Sequence, residues 1–248
     1  MIIQGVSLVG TRVIDYPPII NSNLQQYFDI GNSSSYSGSG TTLTDLSGSG
    51  RGNGAITAGV TYTSAGVNGN GSYLTFNGSS TYGQTANLYN MVASTLNVTV
   101  EVWIRTVSDN GVIISEQGTL PYDSGWHDSQ LEIVSGSLKS SVWTGVGYGT
   151  TLNGGSVTRN VWQQYVYTNN ISTNTLTLYI NGVSKATATM TRVFGGSVLY
   201  YTIARADFTS LGDGGWLACD WSLLRVYNRA LTADEVLQNY QADSWRYQ

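Results

Sequence analysis

The sequence predicts an all-β protein: a two-sheet antiparallel sandwich of the jelly-roll kind, closed by one short C-terminal helix. Three observations carry this. Short runs with period-two alternation recur along the 248 residues. Turns rich in Gly, Asn, Ser and Asp separate them, with 30 Gly in all. No helical pattern intervenes before Thr232.

The elements follow in order. Residues 1–22 hold Ile2, Ile3, Val6, Leu8, Val9, Val13 and Ile14, then Pro17-Pro18. Pro-Pro forbids helix and sheet interior, so this stretch reads as an extended arm ahead of a domain at 23–243. An ordinary first strand is the alternative. Residues 31–54 are nearly low complexity, yet Leu43, Asp45 and Leu46 alternate within them and suggest an ordered loop. Residues 72–83 read as strand then turn. The clearest strand is 97–106. Val98, Val100, Val102 and Ile104 share one face, while Thr99, Glu101, Trp103 and Arg105 share the other. Residues 111–116 form the next strand.

A hairpin follows at 130–143. A two-residue turn at Ser135-Gly136 sets Val134 opposite Ser137, Ile133 opposite Leu138 and Glu132 opposite Lys139. The last is an opposite-charge cross-strand pair worth about 0.2–1 kcal/mol. Residues 161–170 and 174–189 supply further strands, the second turning at Asn181-Gly182, the pair that favours a type I′ turn. Strands at 198–204 and 219–228 complete the set. Then Thr232 and Glu235 form a capping box, Leu231 staples onto Val236, and Val236 and Tyr240 share a helix face. So short a helix needs a docking surface, and its expected role is to cover the sandwich.

Composition narrows the function. Only 10% of residues are charged, against roughly 25% on average, while 41% are hydrophobic. Net charge is −4 and no Lys/Arg run exists, so no nucleic-acid partner is expected. No apolar run approaches the ~20 residues a membrane span needs. Cys219 is the single cysteine, which excludes an internal disulfide. The first twenty residues lack a basic start and a continuous apolar core, so no signal peptide is expected.

The string "WSLLRVYNRALTADEVLQNY" resembles the closing strand and helix of laminin G-like domains of the concanavalin A-like lectin/glucanase superfamily. Arg225, Tyr227, Asn228, Arg229, Ala230, Leu231, Thr232 and Glu235 carry the match. The segments "TLTLYINGV", "VWQQYVYT" and "VTVEVWIRT" match in order. The front end, with Asp29, Ser35-Tyr36, Gly38, Gly40, Asp45, Leu46, Ser47 and Gly48, resembles a sub-group frequent in structural proteins of tailed phages. The resemblance covers residues 24–242 and leaves out both the arm and a tail at 244–248. It implies a concanavalin A-like jelly roll, which hosts lectins, glycosidases and structural modules alike.

Retaining glycosidases of this superfamily carry alternating carboxylates on one strand, because acid and nucleophile must lie roughly 5–5.5 Å apart. No such string is present, and His127 is the only histidine, so no enzyme is expected. No cofactor is required. The resemblance admits one Ca²⁺, with Asp207, Asp213 and Asp220 as its ligands; the alternative is that these are turn-forming, solvated carboxylates. Sugar binding needs aromatic faces beside fixed polar groups. Tyr122, Asp123, Trp126, His127 and Asp128, with Trp143 and Tyr148, are the glycan-binding candidates. Core packing is the alternative for the Trp residues.

The expected function is therefore a non-enzymatic virion structural protein of a tailed bacteriophage. It would be a capsid decoration or a tail or fibre component, made in the host cytoplasm, in contact with other virion proteins, further copies of itself and surface glycans. The alternative is a lectin-like carbohydrate-binding module used for adhesion. The aliphatic residues of the arm are the expected assembly element.

Overall fold

A computed structural model describes residues 7–9, 12–64, 71–92, 97–118, 127–144, 151–193, 198–206 and 215–248. The alternation and the turns of the sequence resolve into two packed antiparallel sheets. The strands are β1 (Ser7–Val9), β2 (Arg12–Ile14), β3 (Leu24–Asp29), β4 (Thr42–Leu43), β5 (Gly54–Ile56), β6 (Thr61–Thr63), β7 (Tyr73–Asn77) and β8 (Gly83–Gln84). After a single turn of helix, α1 (Tyr89–Val92), come β9 (Val98–Thr106), β10 (Gly111–Gln117), β11 (His127–Val134), β12 (Ser137–Ser141) and β13 (Leu152–Ser156). The set closes with β14 (Gln163–Asn170), β15 (Thr175–Ile180), β16 (Val183–Thr189), β17 (Tyr200–Ile203), β18 (Ala218–Tyr227) and α2 (Ala233–Asp243).

The front sheet runs β13-β12-β11-β10-β17-β8-β5-β4. The back sheet runs β16-β15-β14-β9-β18-β7-β6, with β3 also on β18. Val98, Val100, Val102 and Ile104 of β9 face Ile114, Leu131, Ile133 and Ile203 in one continuous core. The hairpin register is the one the charges require: Glu132↔Lys139, Ile133↔Leu138, Val134↔Ser137. Its turn residues, Ser135 and Gly136, both have positive φ, as do Asn181 and Gly182. That is the twist a two-residue hairpin turn needs. The Ser/Gly-rich stretch is ordered too. Leu43 is fully buried, and Asp45 Oδ1 accepts the backbone N–H groups of Tyr27 and Ser47 at 2.8 and 3.0 Å.

Helix α2 has both expected start signals. Thr232 accepts the Glu235 N–H, and the Glu235 carboxylate accepts the Thr232 N–H at 2.9 Å. Val236 packs on Leu231, Tyr227, Val166 and Tyr179. The helix lies on the outer side of the back sheet, over the polar face of β9. There Glu101 accepts from Arg225 at 3.0 Å, Gln164 at 2.8 Å and Asn239 at 2.8 Å. Arg225 also donates to Asp243 at 2.6 Å, so one guanidinium ties two strands to the helix. Burial raises the Glu101 carboxyl above its usual value, and Arg225 opposes that shift.

Residues 244–248 read from the sequence as a tail beyond the domain. In the structure Ser244–Tyr247 form a 3-10 turn. Arg246 pairs with Asp29 at 2.6 Å, and the Tyr247 ring stacks on Trp103 at 4.1 Å. Trp103 lies on the outer face of β9, so a large ring there needs a cover, and the turn supplies it.

The arm divides into two parts. Among the described residues β1 and β2 pair only with each other, in a two-stranded sheet with Leu8↔Val13 at its centre. The segment after it runs along α2. Gln238 donates to the Pro18 carbonyl at 2.7 Å, Ile20 N–H donates to Asn239 at 2.8 Å, and Tyr227 donates to the Ile20 carbonyl at 3.0 Å. Arg229 reaches Ser22 Oγ at 2.7 Å. No helix among the described residues is long and apolar enough to cross a membrane.

Candidate glycan-binding rim

Antiparallel pairing brings several loop ends to one end of the front sheet. Gln117, the last residue of β10, faces both His127 and Tyr200. Ser129 faces Ser141, and Ser140 faces Leu152. The connections β10–β11 and β12–β13 therefore leave from this rim, and the connection from β16 enters the front sheet there at Tyr200. They carry most of the aromatic residues singled out above.

Two of those residues meet directly. Asp128 is 1% exposed, and its two carboxylate oxygens accept the Trp143 backbone N–H at 3.2 and 3.1 Å. The Trp143 carbonyl accepts the Val193 N–H at 3.1 Å. Trp143 is half-buried. Asp128 thus works from below, as an anchor for the Trp143 backbone rather than as a group facing solvent. His127 opens β11. Tyr122, Asp123, Trp126 and Tyr148 lie outside the described residues, as do Asp207 and Asp213.

Beneath the rim lies a charged cluster that sequence reasoning missed. Glu116 stands opposite Asp128 across β10 and β11, on the inward face. The segment from β16 back to the front sheet drives Arg192 between the sheets, where its guanidinium donates to both Glu116 oxygens. Gln130 Nε2 and the Tyr201 hydroxyl donate to the same carboxylate at 3.1 and 3.3 Å. Both side chains of the ion pair are fully buried. Burial, then the negative charge of Glu116, pushes the Asp128 carboxyl well above the usual aspartate value, with Arg192 acting the other way. The same burial raises the Tyr167 and Tyr201 hydroxyls, which close the cluster from the two sheets. A signal existed in the sequence. In "GVIISEQ", Ile114 and Glu116 share strand parity, so an acid occupies a core-facing position and demands a buried cation.

Asp220 has a different setting. Arg105 Nε and Nη2 donate to its Oδ2 at 2.9 and 2.6 Å, and Thr75 Oγ1 donates to its Oδ1 at 2.6 Å. Oδ2 takes two of these bonds and Oδ1 one, all from within the back sheet. Among the described residues no group of three or more His, Cys, Asp or Glu side chains is placed to hold a metal ion.

Comparison with known proteins places this geometry. A laminin G family model, described as concanavalin A-like lectin/glucanases superfamily, matches residues 68–237. No curated relative matches the sequence. Solved structures show the same fold at low identity. One is botulinum neurotoxin type C, in work tying its cell entry to two ganglioside molecules. Its TM-score is 0.63 at 16% identity, over 90% of this chain and 52% of that one. Another is domain 4 of an extracellular arabinanase from Geobacillus stearothermophilus, in complex with arabinotriose. It has a TM-score of 0.58 at 16% identity, over 88% of this chain and 98% of that one. A third is Trypanosoma rangeli sialidase with sialic acid, at TM-score 0.63 and 13% identity, over 97% of this chain and 36% of that one. The chain thus spans about half the length of the neurotoxin chain and about a third of the sialidase.

Proposed function

Because the chain belongs to the laminin G-like family of the concanavalin A-like lectin/glucanases superfamily, we propose that it is a non-catalytic glycan-binding module borne on a larger assembly. The observation that carries this reading is the Asp128 clamp on Trp143. A buried carboxylate fixes the backbone of a half-buried indole at the rim where three loops converge. Prepositioned aromatic faces of this kind bind pyranose rings at low entropic cost. Tyr122, Asp123, Trp126, His127 and Tyr148 would complete the site from the adjoining loops. The arabinotriose and sialic acid complexes among similar folds support the ligand class.

The carboxylates of Glu101 and Glu116 lend no support to catalysis. Glu101 is held by Arg225, Gln164 and Asn239, and Glu116 by Arg192. Both are sealed from solvent, so neither can reach a glycosidic oxygen.

The assembly we propose is a tailed-phage virion, with the chain as a capsid decoration or a tail or fibre component beside other virion proteins and further copies of itself. The front-end resemblance at Asp29, Ser35, Asp45 and Ser47 supports this, and so does the arm. An isolated two-stranded hairpin is marginal in water, so β1–β2 gains stability by pairing with another chain. The clamp at Pro18–Ser22 belongs to the domain. Deleting residues 1–14 is expected to leave the melting temperature unchanged and to abolish incorporation into particles. Deleting 1–22 is expected to destabilise the fold as well, since each lost hydrogen bond contributes about 0.5–1.5 kcal/mol. Normal incorporation of the shorter deletion would refute the attachment role.

The glycan reading is tested on an array. Wild type is expected to retain a defined subset of glycans, and Trp143→Ala to bind them roughly tenfold or more weakly, the loss of about 1.4 kcal/mol or more. Equal binding by both proteins, or binding by neither, would sink the rim as a sugar site.

A further inference from the structure

The outer face of the back sheet carries a second polar and aromatic patch, which the rim does not use. Arg105 of β9 stands opposite Asp220 of β18, Asp220 opposite Thr75 of β7, and Thr75 opposite Thr61 of β6. Four strands thus present one row. The Arg105 guanidinium lies 5.3 Å from the Tyr73 ring centroid and 5.5 Å from that of Trp162. The two rings meet edge to face at 5.7 Å.

This ion pair is partly open to solvent. Glu101–Arg225 and Glu116–Arg192 are sealed, whereas the Arg105 and Asp220 side chains are 31% and 17% exposed. Arg159–Asp109, at 52% and 48%, and Arg229–Glu235, at 25% and 26%, are open as well. Arg105 spends Nε and Nη2 on Asp220 and Tyr73, which leaves Nη1 for a ligand. Tyr73 is half-buried, and Val161, beside Trp162 in the chain, is 47% exposed.

The chemistry selects a ligand class. The two charges cancel, so an anion meets Asp220 and a cation meets Arg105. A neutral vicinal diol suits both: one hydroxyl donates to the Asp220 carboxylate, and its neighbour accepts from Arg105 Nη1. The C–H face of the same ring then packs on Tyr73. We propose that this patch is a second sugar site, taking a neutral pyranose with adjacent hydroxyls. It shares with the proposed function only the class of ligand, since its residues and its sheet are different.

The test is a nuclear magnetic resonance titration of the full chain with cellotetraose, maltotetraose, mannotetraose and sialyllactose. The Arg105 Nε–H and the Thr75 and Asp220 amides are expected to shift saturably with at least one neutral sugar. The shifts should persist in Trp143→Ala and weaken roughly tenfold in Asp220→Asn, which keeps the side chain's shape. If that variant fails to fold, the wild-type titration alone decides. Shifts confined to the rim would overturn the second site and leave the proposed function standing. Shifts here with rim residues silent would sink the rim as a sugar site and leave this patch standing. Shifts with sialyllactose alone would overturn the neutral class, and none with any sugar would overturn the proposal outright.

Discussion

An Arg225→Ala protein is expected to melt about 6–20 °C below wild type. The guanidinium is fully buried and pairs with Glu101 and Asp243 at 3.0 and 2.6 Å. Removing it strands two carboxylates away from water. Breaking a buried pair by deleting one partner costs about 3–5 kcal/mol, and each kcal/mol shifts the midpoint by about 2–4 °C in a domain of this size. The side chain also packs over the Tyr27 ring at 4.8 Å, so truncation removes contacts as well as charge. Calorimetry on wild type, Arg225→Ala, Glu101→Gln and the double variant would measure the coupling. A midpoint shift of Arg225→Ala under about 3 °C would mean that water reaches both acids, and the sealed description of this junction would be wrong.

The second large effect is on pH dependence. Asp128 has a folded pKa raised well above its ordinary value, through burial first and the charge of Glu116 second. Below the unfolded aspartate value of about 3.9 both states hold the proton and the group is neutral toward stability. Above it the unfolded chain releases the proton while the folded one keeps it. Stability then falls by up to about 1.4 kcal/mol per pH unit until the pH reaches the folded pKa, where the loss levels off. Asp128→Asn keeps an oxygen for the Trp143 N–H and removes this titration. The stability difference between variant and wild type should therefore move in favour of the variant as pH rises from about 4. A difference that is flat with pH in chemical denaturation would show that Asp128 ionises in the fold as easily as in the open chain.

Local chemistry made much of this fold legible. Glu132 and Lys139 fixed the register of one hairpin, positive-φ residues at Asn181-Gly182 marked another, and Thr232 with Glu235 marked the helix start. Each signal lies within a few residues of its partner. What stayed hidden depends on long-range contact. Trp103 and Glu101 were readable as the second face of β9, but not as buried, because their covers come from residues 239–247. Arg192 sits in a stretch without periodicity, and only the folded crossover brings it to Glu116, 76 positions away. The candidate rim was legible as a set of aromatic loop residues. The role of Asp128 within it was not, since nothing local distinguishes a buried anchor from a solvated carboxylate.

The pairing of β3 with β18 has a kinetic consequence. Leu24 lies opposite Tyr227 and Asp29 opposite Leu223, so strands about 200 residues apart must find each other. Neither β3 nor the face of β9 is complete until α2 and Ser244–Tyr247 have been synthesised. Chains in which residues 239–247 are not yet made hold Trp103 and the acid at Glu101 uncovered. Topologies dominated by such distant contacts fold in milliseconds to seconds rather than microseconds. The rate-limiting event is thus expected to be the docking of β3 onto β18, with hairpins such as β11–β12 and β15–β16 already formed when it occurs.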